Sequence, residues 1–217
     1  MVGEVALRWR AWRSGAARPS VPLLVHDGRG VQDSYDIMKH ADAVGAGAPL
    51  RYEPESCDEV HRACERALEA GRARVVMRTL ADPAALGESA RAVAPEFLTP
   101  LLRPVSAMGA RYLARKYGAP LDSPESRDQV MREVLTELST RLGDREYLHD
   151  RFGAADILLA TLMQAVQPVE GGYIELTPAV RECWRSEALA REFAHLLEWR
   201  DRIYAVHRRP RAGSAAA

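Results

Sequence analysis

The feature of this sequence that most restricts its fold is an apolar run with a proline, Val21-Pro22-Leu23-Leu24-Val25, which soon reaches the dipeptide Asp27-Gly28. Asp-Gly between two apolar stretches favours a two-residue turn, because both residues of such a turn adopt positive φ angles. A second short stretch ends at Asp33-Ser34, and both residue types are preferred where a helix starts. The sequence therefore predicts a β-hairpin that leads directly into a helix over about 34–43.

Most of the remaining chain has helical patterning. The stretch Gly45-Ala46-Gly47-Ala48-Pro49 is rich in helix breakers and predicts a linker, after which apolar residues recur at helical spacing. Segment 154–166 is apolar on nearly every face, which predicts the central buried helix, and residues 105–117 predict another regular helix. Before the hairpin, residues 5–12 alternate between apolar and other residues and predict a strand. The predicted helix starts are Ser123-Pro124, Thr177-Pro178 and Ser186-Glu187.

Composition excludes some classes of function. Thirty basic and thirty acidic residues cancel, so no overall field attracts nucleic acid or an anionic membrane. The sequence has no C-x-x-C pair and no zinc-like set of cysteines and histidines among Cys57, Cys64 and Cys183. This pattern predicts a protein without a metal site that is located in the reducing cytoplasm. No apolar run approaches the roughly 20 residues of a membrane span. We therefore expect a soluble, cytoplasmic protein with a packed core.

The hairpin, the Asp33-Ser34 pair and a later phrase, Phe152-Gly153-Ala154-Ala155-Asp156-Ile157, occur in this order with predicted helices between and after them. In this respect the chain resembles the glutathione S-transferase family. The resemblance implies an α+β, mostly α fold, in which an incomplete thioredoxin-like hairpin and helix precede a glutathione transferase-type helical bundle. The implied divisions are a glutathione-binding domain over 1–45, a linker over 46–56, a helical domain over 57–207 and a disordered tail over 208–217.

The resemblance also implies a glutathione site. In the family, the proline before the hairpin is cis, and the residue before it offers its backbone to the cysteinyl part of glutathione; these positions are Pro22 and Val21. An acidic residue and a serine at the next helix start hold the γ-glutamyl end, and they match Asp33 and Ser34. Helix N-terminal N–H groups favour a carboxylate, and Asp33 can attract an ammonium. Simpler roles remain open, with Asp33 as an N-cap, Asp36 completing a capping box, and Pro22 in an ordinary edge strand.

The later phrase matches a structural motif of the family, in which a buried helix begins with Ser or Thr, two further residues and Asp. Here Gly153 replaces the hydroxyl residue and Asp156 is retained. We expect Asp156 to accept hydrogen bonds from N–H groups of the first turn. Glycine as N-cap typically costs only a few tenths of a kcal/mol relative to Ser or Thr, so the departure concerns stability rather than chemistry.

The first part of the family's fold has no clear match. A strand, a helix and a second strand precede the proline there, and a Tyr, Ser or Cys at the first helix start activates the glutathione thiol. Such a unit takes roughly 30 or more residues, whereas twenty-one precede Pro22, and residues 5–12 most resemble the second strand. We expect the natural protein to begin upstream of Met1. The catalytic residue is unknown, and Ser14 and Ser20 in their Gly-, Ala- and Pro-rich connection are assigned no role.

The resemblance favours a glutathione transferase-like protein that binds glutathione and conjugates it to a small electrophile. The alternatives are a non-catalytic binding or assembly module of the same fold, and a helical ligand-binding or regulatory domain unrelated to glutathione. Expected partners are glutathione, a small electrophilic or hydrophobic compound and a second copy of the chain, without nucleic acid, membrane or metal. Helical residues of this kind more often pack or lie on the surface, but the candidates for the second compound's site are Arg103, Met108, Arg111 and Tyr112.

Overall fold

The computed structural model describes residues 9, 11–15, 21–93 and 123–210. Within these ranges the chain is mostly helical, with one small antiparallel sheet of two strands, as the mostly α prediction requires. The order of elements, with a short 3-10 turn between α5 and α6, is β1 (Leu23–His26), β2 (Arg29–Gln32), α1 (Ser34–Val44), α2 (Pro54–Ala81), α3 (Pro83–Val93), α4 (Pro124–Leu142), α5 (Ala154–Leu162), α6 (Pro178–Trp184), α7 (Glu187–Glu192) and α8 (Ala194–His207).

The predicted hairpin is confirmed. Strands β1 and β2 pair with Leu23 opposite Gln32 and His26 opposite Arg29. Between them Asp27 and Gly28 have φ angles of 48° and 74°. Positive φ at both central residues is the property of the turn whose twist matches that of the flanking strands, so the Asp-Gly pair is what joins the strands tightly.

The core lies among α2, α4, α5 and α8. Helix α4 begins as predicted, because the Ser123 side chain accepts from Ser126 N at 3.1 Å and Pro124 is in the first turn. Helix α5 is buried on most of its surface, as predicted for the central helix. Cys64 lies fully buried in this core, where it packs as a small apolar residue. In α4 the apolar residues recur at helical spacing; Val130 is partly buried and the others are buried: Met131, Val134, Leu135, Leu138 and Leu142.

The strand predicted over residues 5–12 is wrong where the chain is described, because Trp9 and residues 11–13 are helical. The alternation placed Trp9 and Ala11 on one face, but Trp9 is 54% exposed and Ala11 is 3% exposed. Alanine and arginine both favour helices, so this short alternation does not distinguish the two structures.

Other boundaries also differ from prediction. Helix α2 begins at Pro54, earlier than residue 57, the predicted start of the helical domain, and the helix predicted from Ser186 is divided at Phe193 into α7 and α8. Arg208, in the predicted tail, contacts Tyr204. Ser20, the helix predicted over 105–117, the remaining tail over 211–217 and the four candidates Arg103, Met108, Arg111 and Tyr112 lie outside the described residues. None of the described helices is long and apolar enough to cross a membrane.

Candidate functional site

The four residues predicted to bind glutathione lie together at the open end of the hairpin. Leu23 and Gln32 form the last pair of the register, so Pro22 directly precedes this pair on one strand and Asp33 directly follows it on the other. The Val21–Pro22 peptide bond is cis, and Val21 is 77% exposed. Pro22, Asp33 and Ser34 are also exposed. The chain therefore presents two adjacent segments to solvent, one from before β1 and one from after β2.

Asp33 is the N-cap of α1. Its Oδ1 accepts hydrogen bonds from Tyr35 N at 2.8 Å and from Asp36 N at 3.3 Å, and its backbone has a φ angle of 71°. This confirms the capping role predicted from the sequence. Neither bond uses Oδ2, so capping and the attraction of a ligand's ammonium are compatible. Asp36 forms an ion pair with Lys39 at 2.5 Å.

Ser34 is the first residue of α1, and its hydroxyl is exposed beside the N-cap. The first N–H groups of a helix have no partner within the helix and point along its axis, so an anion placed there gains hydrogen bonds and a favourable dipole. Ser34 can offer both an N–H and a hydroxyl to a carboxylate. Together with the negative charge of Asp33, this corner suits a group that carries a carboxylate and an ammonium on one carbon.

A hydrogen-bonded cluster beneath this corner joins α1 to α2, and sequence reasoning did not find it. Tyr35 Oη donates to Asp58 Oδ1 at 2.5 Å and accepts from Arg51 Nε at 3.0 Å, while Arg51 Nη2 also bonds Asp58 Oδ1 at 2.7 Å. The Tyr35 ring stacks on His61 with centroids 3.9 Å apart. Burial and the Asp58 carboxylate raise the pKa of Tyr35 to about 12. The cluster fixes the start of α1, and hence Asp33 and Ser34, relative to the bundle.

Gly153 and Asp156 form a cap at the start of α5, as predicted, although the donors differ from those expected. Asp156 accepts from Gly153 N at 2.9 Å and from Leu148 N at 2.8 Å, so it holds the preceding loop as well as the helix start. Burial raises the pKa of this carboxyl group. A Cβ atom on Gly153 would lie 2.7 Å from the Leu50 carbonyl oxygen. Glycine is therefore required here for space, which explains the departure from Ser or Thr.

The described residues do not supply an evident group for thiol activation. The Ser14 hydroxyl donates to Ala11 O at 3.2 Å, and its carbonyl accepts from Gly30 N at 2.8 Å, which brings this turn to the edge of β2. The three cysteines are free and buried, and burial raises the pKa of each thiol, that of Cys64 to about 12. Such thiols are poor nucleophiles. Within the described ranges, no three His, Cys, Asp or Glu residues are arranged to hold a metal ion.

Comparison with known proteins gives no match: no family model, no curated protein sequence and no solved structure matches this chain. These comparisons therefore do not test the predicted resemblance to glutathione transferases.

Proposed function

We propose that this chain is a glutathione transferase-like protein that binds glutathione at the open end of the hairpin. The observation that carries the proposal is that the exposed Val21–Pro22 segment and the exposed Asp33–Ser34 helix start flank the same end of the hairpin. In the proposed complex, the Val21 backbone bonds the cysteinyl unit, Ser34 bonds the γ-glutamyl carboxylate, and Asp33 pairs with its ammonium. The proposal extends to a thioredoxin-like fold for the hairpin unit, a homodimer and a cytoplasmic location.

Conjugation to a small electrophile or hydrophobic compound would need a donor that stabilises the glutathione thiolate, because the free thiol is mostly protonated at neutral pH. The residue for this step is not assigned. A second candidate, a non-catalytic binding module of the same fold, is favoured by two observations: the Ser14 hydroxyl bonds its own turn, and the cysteines are buried. Both candidates include the glutathione site. They differ in whether the protein activates the glutathione thiol for conjugation or only binds glutathione.

The test is calorimetric titration of the full chain with reduced glutathione, using variants that separate ligand binding from helix capping. Asp33→Asn keeps a side chain that caps well and tolerates positive φ, but it removes the charge that pairs with an ammonium. Ser34→Ala removes the hydroxyl and leaves the N–H. Ser126→Ala is the matched control, because Ser126 is also an exposed serine in the first turn of a helix.

We expect both site variants to bind glutathione about tenfold or more weakly, as loss of a charge-assisted contact of about 1.5 to 3 kcal/mol implies. The control should bind as the wild type does, and all three variants should unfold close to the wild-type temperature. Unchanged affinity in Asp33→Asn and Ser34→Ala would reduce both residues to a capping role. A folded wild-type chain that does not bind glutathione would favour the unrelated helical ligand-binding domain.

A further inference from the structure

The helical bundle has a groove on its surface, and none of the residues of the hairpin site line this groove. It runs between the loop before α2, the start of α5 and the end of α8, and its volume is about 240 Å³. A water molecule occupies about 30 Å³ of liquid, so the groove holds a single ring with a short side arm rather than a peptide. Its apolar lining comprises Leu50, Phe152, Ile157, Ala160, Ile203 and Tyr204.

The walls of the groove are fixed by packing. Ala160, Ile203 and Tyr204 belong to the buried core and form the floor, with exposed fractions of 2 to 6%. At one side the rings of Phe152 and His207 are stacked, with centroids 3.7 Å apart and planes 5° apart. His207 Nε2 is 3.1 Å from Tyr147 Oη, which restrains the imidazole. A flat apolar ligand would therefore meet a preformed surface, with little ordering required on binding.

The groove is also lined by a cationic residue, Arg208. The Arg208 guanidinium lies 5.2 Å from the centroid of the Tyr204 ring and donates to Tyr204 Oη at 3.3 Å. Across the described part of the chain, the ion pairs join other residues, and Arg208 is in none of them. The residues that line the groove include no Asp or Glu. An anionic group in the groove would thus meet the guanidinium of Arg208 as a donor, and no carboxylate among the lining residues would repel it.

We propose that this groove binds a small aromatic carboxylate, with the ring on the apolar floor and the carboxylate on Arg208. A ring from a second copy of the chain is a poorer occupant, because Trp9 and Trp12, the aromatic members of the exposed large apolar residues, are accompanied by Arg13, whose charge would meet Arg208. The proposal does not depend on glutathione binding, since the hairpin residues line no part of the groove.

The test uses 3-phenylpropionate as the probe and its neutral amide, 3-phenylpropanamide, as the control ligand, each titrated into the full chain by nuclear magnetic resonance. We expect the carboxylate to shift the methyl resonances of Ile157, Ala160 and Ile203 and to bind about tenfold more tightly than the amide. Arg208→Gln should abolish that preference and leave amide binding unchanged. Arg209→Gln, which alters the neighbouring exposed arginine, should retain the preference.

A second variant tests the groove itself. Thr161 lines it and is exposed, so Thr161→Trp should fill the space and block both ligands without disturbing the core. Equal binding of carboxylate and amide by the wild type, or shifts at other methyl groups, would overturn the proposal. A wild-type dimer that Thr161→Trp dissociates would assign the groove to a second copy and overturn it as well.

Discussion

Tyr35 connects the start of α1 to α2 through a hydrogen bond to Asp58 and a ring stack on His61. Replacing it by phenylalanine keeps the stack on His61 and removes the hydrogen bonds to Asp58 and Arg51. We expect Tyr35→Phe to lower the free energy of unfolding by about 1 to 2 kcal/mol, below the full value of a charged hydrogen bond because Asp58 is partly exposed. Urea unfolding measures this. Tyr173→Phe, which alters a partly buried tyrosine outside this cluster, is the control and should change the free energy by less.

The difference in unfolding free energy between wild type and Tyr35→Phe should also depend on pH, in a direction that the pKa of Tyr35 defines. The pKa of Tyr35 is raised to about 12 in the folded chain, against about 10 for an ordinary tyrosine. Its contribution to stability is therefore present below pH 10 and is lost as the pH rises through about 12. The difference in unfolding free energy between wild type and Tyr35→Phe should shrink over that interval. A constant difference up to pH 12 would show that the buried hydroxyl is not bonded as described.

For individual residues, the sequence predicts hydrogen bonds to near neighbours in the chain but does not predict contacts between distant segments. Asp33 could be predicted as a cap because its partners are the next few residues. The reason for Gly153 could not, because the atom that excludes a Cβ is the carbonyl oxygen of Leu50, about 100 residues earlier. Tyr35 likewise had no local feature that distinguished it from an ordinary core aromatic.

Among the elements, α6 shows how a helix start can depend on a distant side chain. The sequence predicts Thr177 as the cap, yet the Thr177 side chain makes no capping hydrogen bond. Glu88 from α3 takes this role, since its Oε2 accepts from Ala179 N at 3.1 Å and Val180 N at 3.3 Å. A carboxylate at this position also interacts favourably with the helix dipole.

We expect Glu88→Ala to lower the free energy of unfolding by about 1 kcal/mol, the typical value of an N-cap, and Thr177→Ala to change it much less. Glu69→Ala, at an exposed position within α2, controls for loss of a surface glutamate. Chemical denaturation of the four proteins measures these differences. If Thr177→Ala lowered the free energy of unfolding more than Glu88→Ala, Thr177 would be the cap of α6, as the sequence predicts.

Element types were predictable where a strong local pattern coincides with the fold. The hairpin and the start of α4 are examples, because Asp-Gly and Ser-Pro each restrict the backbone within a few residues. The pattern failed near Trp9, where a short alternation accompanied a helix. The helical pattern also failed at Phe193. The spacing of the apolar residues there fits one continuous helix, yet Phe193 is buried and ends α7.

For the molecule as a whole, the segment between α1 and α2 is a fixed junction rather than a free connection. Asp42 accepts from Leu50 N at 2.9 Å and from Arg51 N at 2.7 Å, one bond to each carboxylate oxygen. The Leu50 carbonyl in turn accepts from Ala154 N at 2.9 Å. The sequence predicts a linker here from its glycines, but three separate segments meet at Leu50, and no local pattern encodes that meeting.

This junction predicts how the hairpin unit separates from the bundle. Asp42→Ala removes both bonds, a loss of about 1.5 to 3 kcal/mol if the junction opens locally. Cleavage of a transiently open segment follows the population of the open state. Trypsin should therefore cut after Arg51 roughly tenfold to a hundredfold faster in Asp42→Ala than in wild type. Asp36→Ala, which removes only the pair with Lys39, is the control. Equal cleavage in the two variants would mean that Asp42 does not hold the junction, and that other contacts, such as the cluster of Tyr35, Arg51 and Asp58, join the hairpin unit to the helices.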